Sequence, residues 1–218
     1  MDKLKVAVLI SGRGSNMQSL LAASKEPGSK FEIVLVLSNR SDAQGIHTAA
    51  EAGIETSIIK KSDYDSRESF EEALDIRITE SEARLICLAG FLWLLGESFV
   101  NNWRDRLINI HPSLLPAFKG LHVQDQAVEM GVRFTGCSVH FVRPELDDGP
   151  IIAQAVVPVL PSDDGDSLSA RILVQEHQIY PRVVKWIADG RVRVSGEKVL
   201  ISGVEMPDQS FISPYDAS

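Results

Sequence analysis

The chain has 218 residues, of which 44% are hydrophobic and 24% are charged, which is the size and composition of one soluble globular domain with a sizeable core. This composition argues against a mostly disordered chain. The formal net charge of −8 opposes attraction to a polyanion, so we expect no nucleic-acid partner, although a small phosphate can still be held by a few backbone N–H groups.

The first half of the chain alternates short apolar runs with helical patterns. Such alternation predicts an α/β fold with a Rossmann-like, mostly parallel sheet and helices on both faces, joined by right-handed crossovers. Strands are predicted at residues 6–10, 31–37, 54–59 and 85–88, and helices from residue 17, at 43–52 and at about 63–82.

The second half changes character after Pro112, where prolines and glycines predict a long loop, and a loop of this length in a compact domain is usually functional. An acidic, turn-rich connection is predicted at 143–150. The other predicted elements are a helix at about 124–130, strands at 135–142 and 151–159, a long helix from 167 to about 189, and a terminal hairpin of 191–194 and 198–201. We therefore expect one domain over 1–202 and a loosely held tail over 203–218.

Neither cysteine usage nor hydropathy indicates a metal site or a membrane segment. Cys87 and Cys137 lack the spacing of a zinc or dithiol motif, so we expect reduced core thiols and no metal. The longest apolar stretch, 85–95, is too short to span a bilayer, and the chain runs directly into its first predicted strand. We expect a cytoplasmic protein without a membrane partner, either a monomer or a homodimer.

The segment 11–16 (SGRGSN) lies between a predicted strand and a predicted helix. Its two glycines allow close approach of a ligand, and a helix N-terminus favours an anion. It matches neither the dinucleotide pattern nor the P-loop. A phosphate site and a tight turn capped by Asn or Ser both remain open.

Asn109 and His111 are two positions apart at a predicted strand end, so their side chains project to the same side and Ile110 to the other. One hydrogen-bond donor and one titratable base would then share a pocket. A capping Asn beside a packed His is the alternative. Asp147, in the acidic turn, would stabilise an imidazolium if it approaches His111, whereas on the surface it would not.

Two further histidines are weaker candidates. His140 alternates within a strand pattern, which favours a buried structural role. His122 follows a Gly-Leu turn and is expected to help shape the same pocket as His111.

Five segments, in this order and spacing, carry a resemblance to a known family. They are 11–16 (SGRGSN), 109–116 (NIHPSLLP), 120–122 (GLH), 138–142 (SVHFV) and 146–152 (LDDGPII). To about Arg193 the chain resembles the glycinamide ribonucleotide formyltransferases, folate-dependent enzymes of the formyltransferase fold. The resemblance implies formyl transfer from the cosubstrate 10-formyltetrahydrofolate to the amine of N1-(5-phosphoribosyl)glycinamide in de novo purine biosynthesis.

The same resemblance implies a role for particular residues. It implies a phosphate-binding half at about 1–100 and a folate-binding and catalytic half at about 101–202. The implied catalytic residues are Asn109, His111 and Asp147. The implied ribonucleotide contacts are Gly14, Ser15 and Asn16 for the phosphate and Glu176 for the ribose, and the implied folate contacts are Arg67, Leu92, Trp93, Leu94, Leu95 and Asn109.

This sequence departs from the family pattern at Trp93, where the family usually has Arg, and at Val123 and Gln124, which replace a Thr-His pair. Main-chain recognition of the pterin survives the first change, whereas a charge contact to the folate's glutamate tail is lost.

Other functions remain alternatives. The alternatives that share the Asn-x-His and Asp centre are methionyl-tRNA formyltransferase, formyltetrahydrofolate deformylase and sugar-nucleotide amine formyltransferases. Against them, we expect this chain to lack the additional domain that these enzymes have, and its net charge of −8 predicts no broad basic surface for tRNA. A catalytically silent folate- or nucleotide-binding protein is kept open by Trp93, although the complete trio argues against it.

Overall fold

The structure, a computed structural model, describes residues 2–205 and 208–214, and within them seven strands form one central sheet. These strands are β1 (Leu4–Ile10), β2 (Phe31–Ser38), β3 (Thr56–Ile58), β4 (Leu85–Leu88), β5 (Leu107–His111), β6 (Phe134–Phe141) and β7 (Ile151–Pro158). Their order across the sheet is β3-β2-β1-β4-β5-β6-β7.

The strands β3, β2, β1, β4 and β5 run parallel, whereas β6 and β7 continue the sheet in antiparallel pairing. The predicted mostly parallel sheet is therefore confirmed. The chain order reverses direction across the sheet between β1 and β4, and at such a switch point the loops that follow the two strands separate and leave a crevice. The loops after β1 and β4 define where a ligand can enter.

Helices cover both faces of the sheet, as predicted. The helices are α1 (Ser15–Ser24), α2 (Gln44–Glu51), α3 (Arg67–Glu80), α4 (Glu97–Asn102), α5 (Val123–Glu129) and α6 (Gly165–Ala188). Alternate side chains of β1 go to opposite cores, since Val8 packs in the cluster with α1, α2, α5 and α6, and Leu9 in the cluster with α3 and α4.

The chain continues into a separate antiparallel hairpin, β8 (Val192–Ser195) and β9 (Lys198–Ile201), which confirms the predicted terminal hairpin. Residues 206, 207 and 215–218 of the predicted tail lie outside the described residues. No helix in the described part of the chain is both long and apolar enough to cross a membrane.

Three details differ from the sequence prediction. Helix α4 was not predicted, because six residues give too little periodicity to be distinguished from a loop. The helix predicted from residue 63 starts at Arg67, because Ser66 caps it by accepting a hydrogen bond from the Ser69 backbone N–H. Strand β3 is also shorter than the predicted 54–59.

Both cysteines are free and buried, which confirms the predicted core thiols. Burial raises the pKa of the Cys87 and Cys137 thiols to about 12, so neither is a reactive thiolate at neutral pH.

Candidate active site

The loops after β1 and β4 are joined at the switch point by Ser11, which is 4% exposed. Its backbone N–H donates to the Gly90 carbonyl at 2.9 Å, and its hydroxyl accepts from the Leu92 N–H at 2.7 Å. The same hydroxyl donates to Asn39 Oδ1 at 2.6 Å. One buried serine therefore fixes the glycine loop against the segment after β4.

The glycine loop turns directly into helix α1. Gly14 has a φ of +74°, and a Cβ there would lie 3.0 Å from the Gly45 Cα, so a side chain is excluded on both grounds. No side chain among the described residues caps this helix, so the Asn or Ser cap considered from the sequence is absent there. The first amides of α1, from Ser15 onward, face the end of the crevice as a helix N-terminus suited to an anion.

Asn16 reaches across to Glu176 on α6. Its Nδ2 donates to Glu176 Oε2 at 2.6 Å, and both residues are buried. Burial raises the pKa of Glu176, and the Asn16 hydrogen bond opposes that shift. Within the described residues, Asn16 Oδ1 is buried and has no hydrogen-bond partner. Two of the predicted ribonucleotide contacts, Asn16 and Glu176, thus form one hydrogen-bonded pair, and the Asn16 Oδ1 can still accept a hydrogen bond.

Asn109 is the middle residue of β5 and lies opposite His140 on β6. Its Nδ2 donates to His140 Nε2 at 3.3 Å, and His140 Nδ1 donates to the Phe141 carbonyl at 3.0 Å. These partners assign the neutral tautomer with hydrogen on Nδ1. Burial lowers the pKa of His140 to about 4, in agreement with a neutral ring. His140 is buried, as predicted, but it also contacts Asn109.

His111 is buried and has an oxygen atom beside each ring nitrogen. Nε2 donates to the Phe118 carbonyl at 2.8 Å, and Nδ1 lies 3.4 Å from Asp147 Oδ2. The structure therefore brings Asp147 to His111, which the sequence left undecided. An imidazolium has a partner for each N–H in this arrangement, whereas a neutral ring satisfies only one of the two acceptors.

Asp147 is held by the two loops that flank the site. Its Oδ2 accepts from the Gly120 N–H at 2.8 Å, and the neighbouring Asp148 pairs with Lys119 at 2.6 Å. The start of the acidic connection is fixed by Arg143, which is 7% exposed and bonded to Asp105 at 2.7 Å. The carboxylate therefore reaches His111 from a loop anchored at several points.

Apart from Asn109, the predicted folate residues lie in the segment after β4 and at the start of α3. The Trp93 indole N–H donates to Glu71 Oε1 at 3.1 Å, and the Arg67 guanidinium lies 5.7 Å from the centre of the indole ring. Leu92 and Leu94 are 64% and 51% exposed, whereas Leu95 is buried. The segment thus presents apolar side chains and main-chain groups at the crevice.

His122 lies at the protein surface. Its side chain is 82% exposed, and Nδ1 lies 3.8 Å from Asp125. His122 has a φ of +56° at the start of α5, and its expected part in the pocket of His111 stays a prediction. Val123 is buried in the first turn of that helix, and Gln124 is half-buried.

Sequence reasoning missed the site residues Ser11, Glu71 and His140 as partners of the candidate residues. For His140 a usable signal existed, since an antiparallel pairing of the two predicted strands places it opposite Asn109. Glu71 gave none, because it reads as one more charge on an amphipathic helix. Within the described residues no three His, Cys, Asp or Glu side chains are grouped to hold a metal ion.

Comparisons with known proteins find a matching family model, related sequences and similar solved structures. The model of the formyl transferase family matches residues 4–184. The phosphoribosylglycinamide formyltransferase of Escherichia coli (strain K12) is 43% identical over 208 residues, which are 95% of this chain and 98% of that protein. A crystal structure of glycinamide ribonucleotide transformylase 1 from Symbiobacterium toebii has a TM-score of 0.89 and 42% identity, covering 91% of this chain and 94% of that one.

A longer relative matches over a part of its length. The trifunctional purine biosynthetic protein adenosine-3 of Gallus gallus is 46% identical over 193 residues, or 88% of this chain. The chain spans only 19% of that relative.

Proposed function

Since this chain belongs to the formyl transferase family, we propose that it transfers the formyl group of 10-formyltetrahydrofolate to the amine of N1-(5-phosphoribosyl)glycinamide, a step of de novo purine biosynthesis. The observation that carries this proposal is the grouping of Asn109, His111 and Asp147 at the carboxyl end of β5. An amide donor beside a histidine paired with a carboxylate is suited to stabilising the oxyanion of acyl transfer.

The ribonucleotide would bind along α1 and α6. The N-terminal amides of α1, from Gly14 to Asn16, would hold the phosphate, because a tight glycine turn leads directly into the helix. Glu176 would accept from the ribose hydroxyls, and its bond to Asn16 aims the carboxylate in advance. This arrangement places a phosphate and a sugar site in one continuous part of the crevice.

The folate would bind against residues 92–95, beside Arg67 and Asn109. Both exposed side chains of this segment, Leu92 and Leu94, are leucines. Its main-chain groups can form hydrogen bonds with a heterocycle that has several donors and acceptors. With Trp93 in place of an arginine, Arg67 is the single predicted folate residue with positive charge. We expect recognition of the ring system to outweigh recognition of the acidic tail.

Asn109 would stabilise the tetrahedral intermediate. Its amide has two N–H groups, and the neutral ring of His140 accepts one of them. The amide is thereby oriented, and the other N–H remains to donate to the formyl oxygen as negative charge develops there.

His111 would supply a positive charge near the reacting atoms, and the fixed carboxylate of Asp147 would compensate it. The amine nitrogen forms a bond to the formyl carbon, the bond from that carbon to the folate nitrogen breaks, and one proton passes from the attacking amine to the departing nitrogen. His111 would give one proton to the departing folate nitrogen through water and would regain one from the attacking amine, so that the ring ends in its starting state. No covalent enzyme intermediate forms in this sequence of steps.

The setting of this reaction follows from its substrates. We propose a cytoplasmic enzyme whose partners are the ribonucleotide and the folate, with no nucleic acid and no membrane, acting as a monomer or homodimer without a metal. The net charge of −8 is compatible with a locally built phosphate site.

The test is an absorbance assay of the folate product with purified protein, 10-formyltetrahydrofolate and the ribonucleotide, with a parallel reaction that lacks the ribonucleotide. We expect turnover that requires the ribonucleotide. Equal turnover in its absence would instead establish a hydrolase, and no turnover in either reaction would support a silent binding protein.

A further inference from the structure

Glu71 is a buried carboxylate outside the predicted site whose hydrogen bonds go to the folate segment. It lies on α3 and is 6% exposed. Its Oε1 accepts from the Trp93 indole N–H at 3.1 Å and from the Gly96 backbone N–H at 2.9 Å. A buried carboxylate is costly unless donors satisfy it, so these two bonds are the ones that keep Glu71 in place.

The approach of Glu71 to the chain is close. A Cβ on Gly96 would lie 2.8 Å from Glu71 Oε2, so the glycine leaves the space that the carboxylate uses. Arg67, one turn earlier on α3, has its Nε 3.9 Å from Glu71 Oε1. The carboxylate therefore has two N–H donors, both from residues 91–96, and one nearby cation, Arg67.

The middle of this segment depends on polar anchors. At its start the Leu92 N–H donates to Ser11 Oγ, and at its end Gly96 donates to Glu71. Leu95 packs in the core, whereas the side chains of Leu92 and Leu94 are more than half exposed and contribute little packing.

Trp93 is oriented by the same carboxylate. Its ring meets Phe70 edge to face, with centroids 5.2 Å apart and an interplanar angle of 73°, and Arg67 lies over it. An aromatic ring held at its edge and by its N–H has little rotational freedom.

We propose that Glu71 is a positioning residue for the folate, acting through the Trp93 indole and the Gly96 amide to set the main chain of residues 92–95. In doing so it fixes the Trp93 ring, with Arg67 over it, beside the folate site. This inference rests on the proposed function, because it assigns the anchor of the segment that would bind the folate.

The matched control lies one turn further along the same helix. Asp75 accepts from the Trp103 indole N–H at 2.5 Å, the same kind of bond as that between Glu71 and Trp93. Trp103 belongs to the end of α4 rather than to residues 92–95. Asp75→Asn therefore perturbs a comparable bond without touching the folate segment.

The experiment compares Glu71→Gln with Asp75→Asn in steady-state kinetics of both substrates. Glu71→Gln keeps an acceptor oxygen but removes the charge that strengthens the two hydrogen bonds to Oε1. It should therefore raise KM for 10-formyltetrahydrofolate about tenfold, with kcat and the ribonucleotide KM within about twofold. Asp75→Asn should leave all three within about twofold. An unchanged folate KM in Glu71→Gln, or an equal rise in both variants, would overturn the inference.

A second pair of variants removes the indole N–H and keeps a smaller aromatic ring in its place. Trp93→Phe should raise the folate KM several-fold, whereas Trp103→Phe should not. In the double variant of Glu71→Gln and Trp93→Phe, the KM increase should be smaller than the product of the two single increases, because one substitution weakens the bond between residues 71 and 93 and the other removes it. A full product would show that Glu71 does not act through Trp93.

These outcomes are separable from failure of the proposed function. If the unmodified protein shows no ribonucleotide-dependent turnover, the proposed function is wrong. If the unmodified protein is active and the folate KM of the Glu71 and Trp93 variants does not change, only the positioning role is wrong. Should Glu71→Gln fail to fold by circular dichroism, the Trp93→Phe and Trp103→Phe pair decides.

Discussion

Acid is expected to destabilise this protein through His140, because the folded state holds that ring neutral. Burial lowers the pKa of His140 from 6.5 to about 4, although the bond to the Phe141 carbonyl and the nearby Asp147 charge oppose the shift. A histidine whose pKa is lower in the folded state contributes its full stability above the unfolded pKa. That contribution is lost as the pH falls, because the unfolded chain binds a proton first.

The size of the effect follows from the two pKa values. Linkage between 6.5 in the unfolded chain and about 4 in the folded protein gives a loss of about 2 kcal/mol at pH 5 and about 3 kcal/mol at pH 4. A glutamine at this position does not titrate, so the His140→Gln variant lacks this part of the pH dependence whatever its own stability is.

The assay is urea unfolding of the unmodified protein and of His140→Gln at about pH 7.5 and about pH 5, with His47→Gln as control. His47 is exposed on α2. The unmodified protein and the control should lose about 2 kcal/mol more than His140→Gln between the two pH values. Equal losses in all three proteins would refute a buried neutral His140, and so would histidine NMR signals showing that its ring is protonated at about pH 6.

Four further substitutions test the candidate site. Asn109→Ala should lower turnover about a hundred- to thousandfold, since one oxyanion donor contributes about 2.7–4 kcal/mol, and near-normal turnover in the absorbance assay would contradict its role. Asp147→Asn should lower kcat about tenfold or more through loss of the charged partner of the adjacent ring, and an unchanged kcat removes the residue from the mechanism. Gly14→Ala should raise KM for the ribonucleotide alone, because a Cβ at its φ of +74° would lie 3.0 Å from Gly45 Cα; a normal KM would show that the turn tolerates a side chain. Trp93→Arg should lower the ratio of KM for a folate with several glutamates to KM for a folate with one glutamate. We expect this ratio to be near unity in the unmodified protein, and an unaltered ratio in the variant would show that residue 93 does not contact the glutamate tail.

Local sequence pattern was sufficient for most of the sheet. Apart from Lys5 and Glu32 near their starts, strands β1 and β2 are apolar runs that end at polar turns, so their place in a buried parallel sheet follows from composition and length. The same period-two geometry correctly put Asn109 and His111 on one side of β5 and Ile110 on the other, where Ile110 packs in the core.

Short helices and the capped starts of helices were harder to predict from the sequence. Helix α4 has six residues, and the start of α3 depends on the hydrogen bonds of Ser66 rather than on periodicity. His122 illustrates the same limit, because neither its left-handed backbone conformation at the start of α5 nor the exposure of its side chain follows from the motif in which it lies.

The sequence by itself determined the α/β class and the alternation of strands and helices, because these depend on neighbours a few positions apart. The residues proposed for formyl transfer came from the resemblance to a family. Tertiary structure decided which of those residues meet. Asp147 reaches His111 through an anchored loop, and Glu176 meets Asn16 from 160 positions away. Glu71 acquires its partners only when α3 packs beside the segment after β4. Contacts between residues so distant in the chain are set by strand order and burial, and no local spacing encodes them.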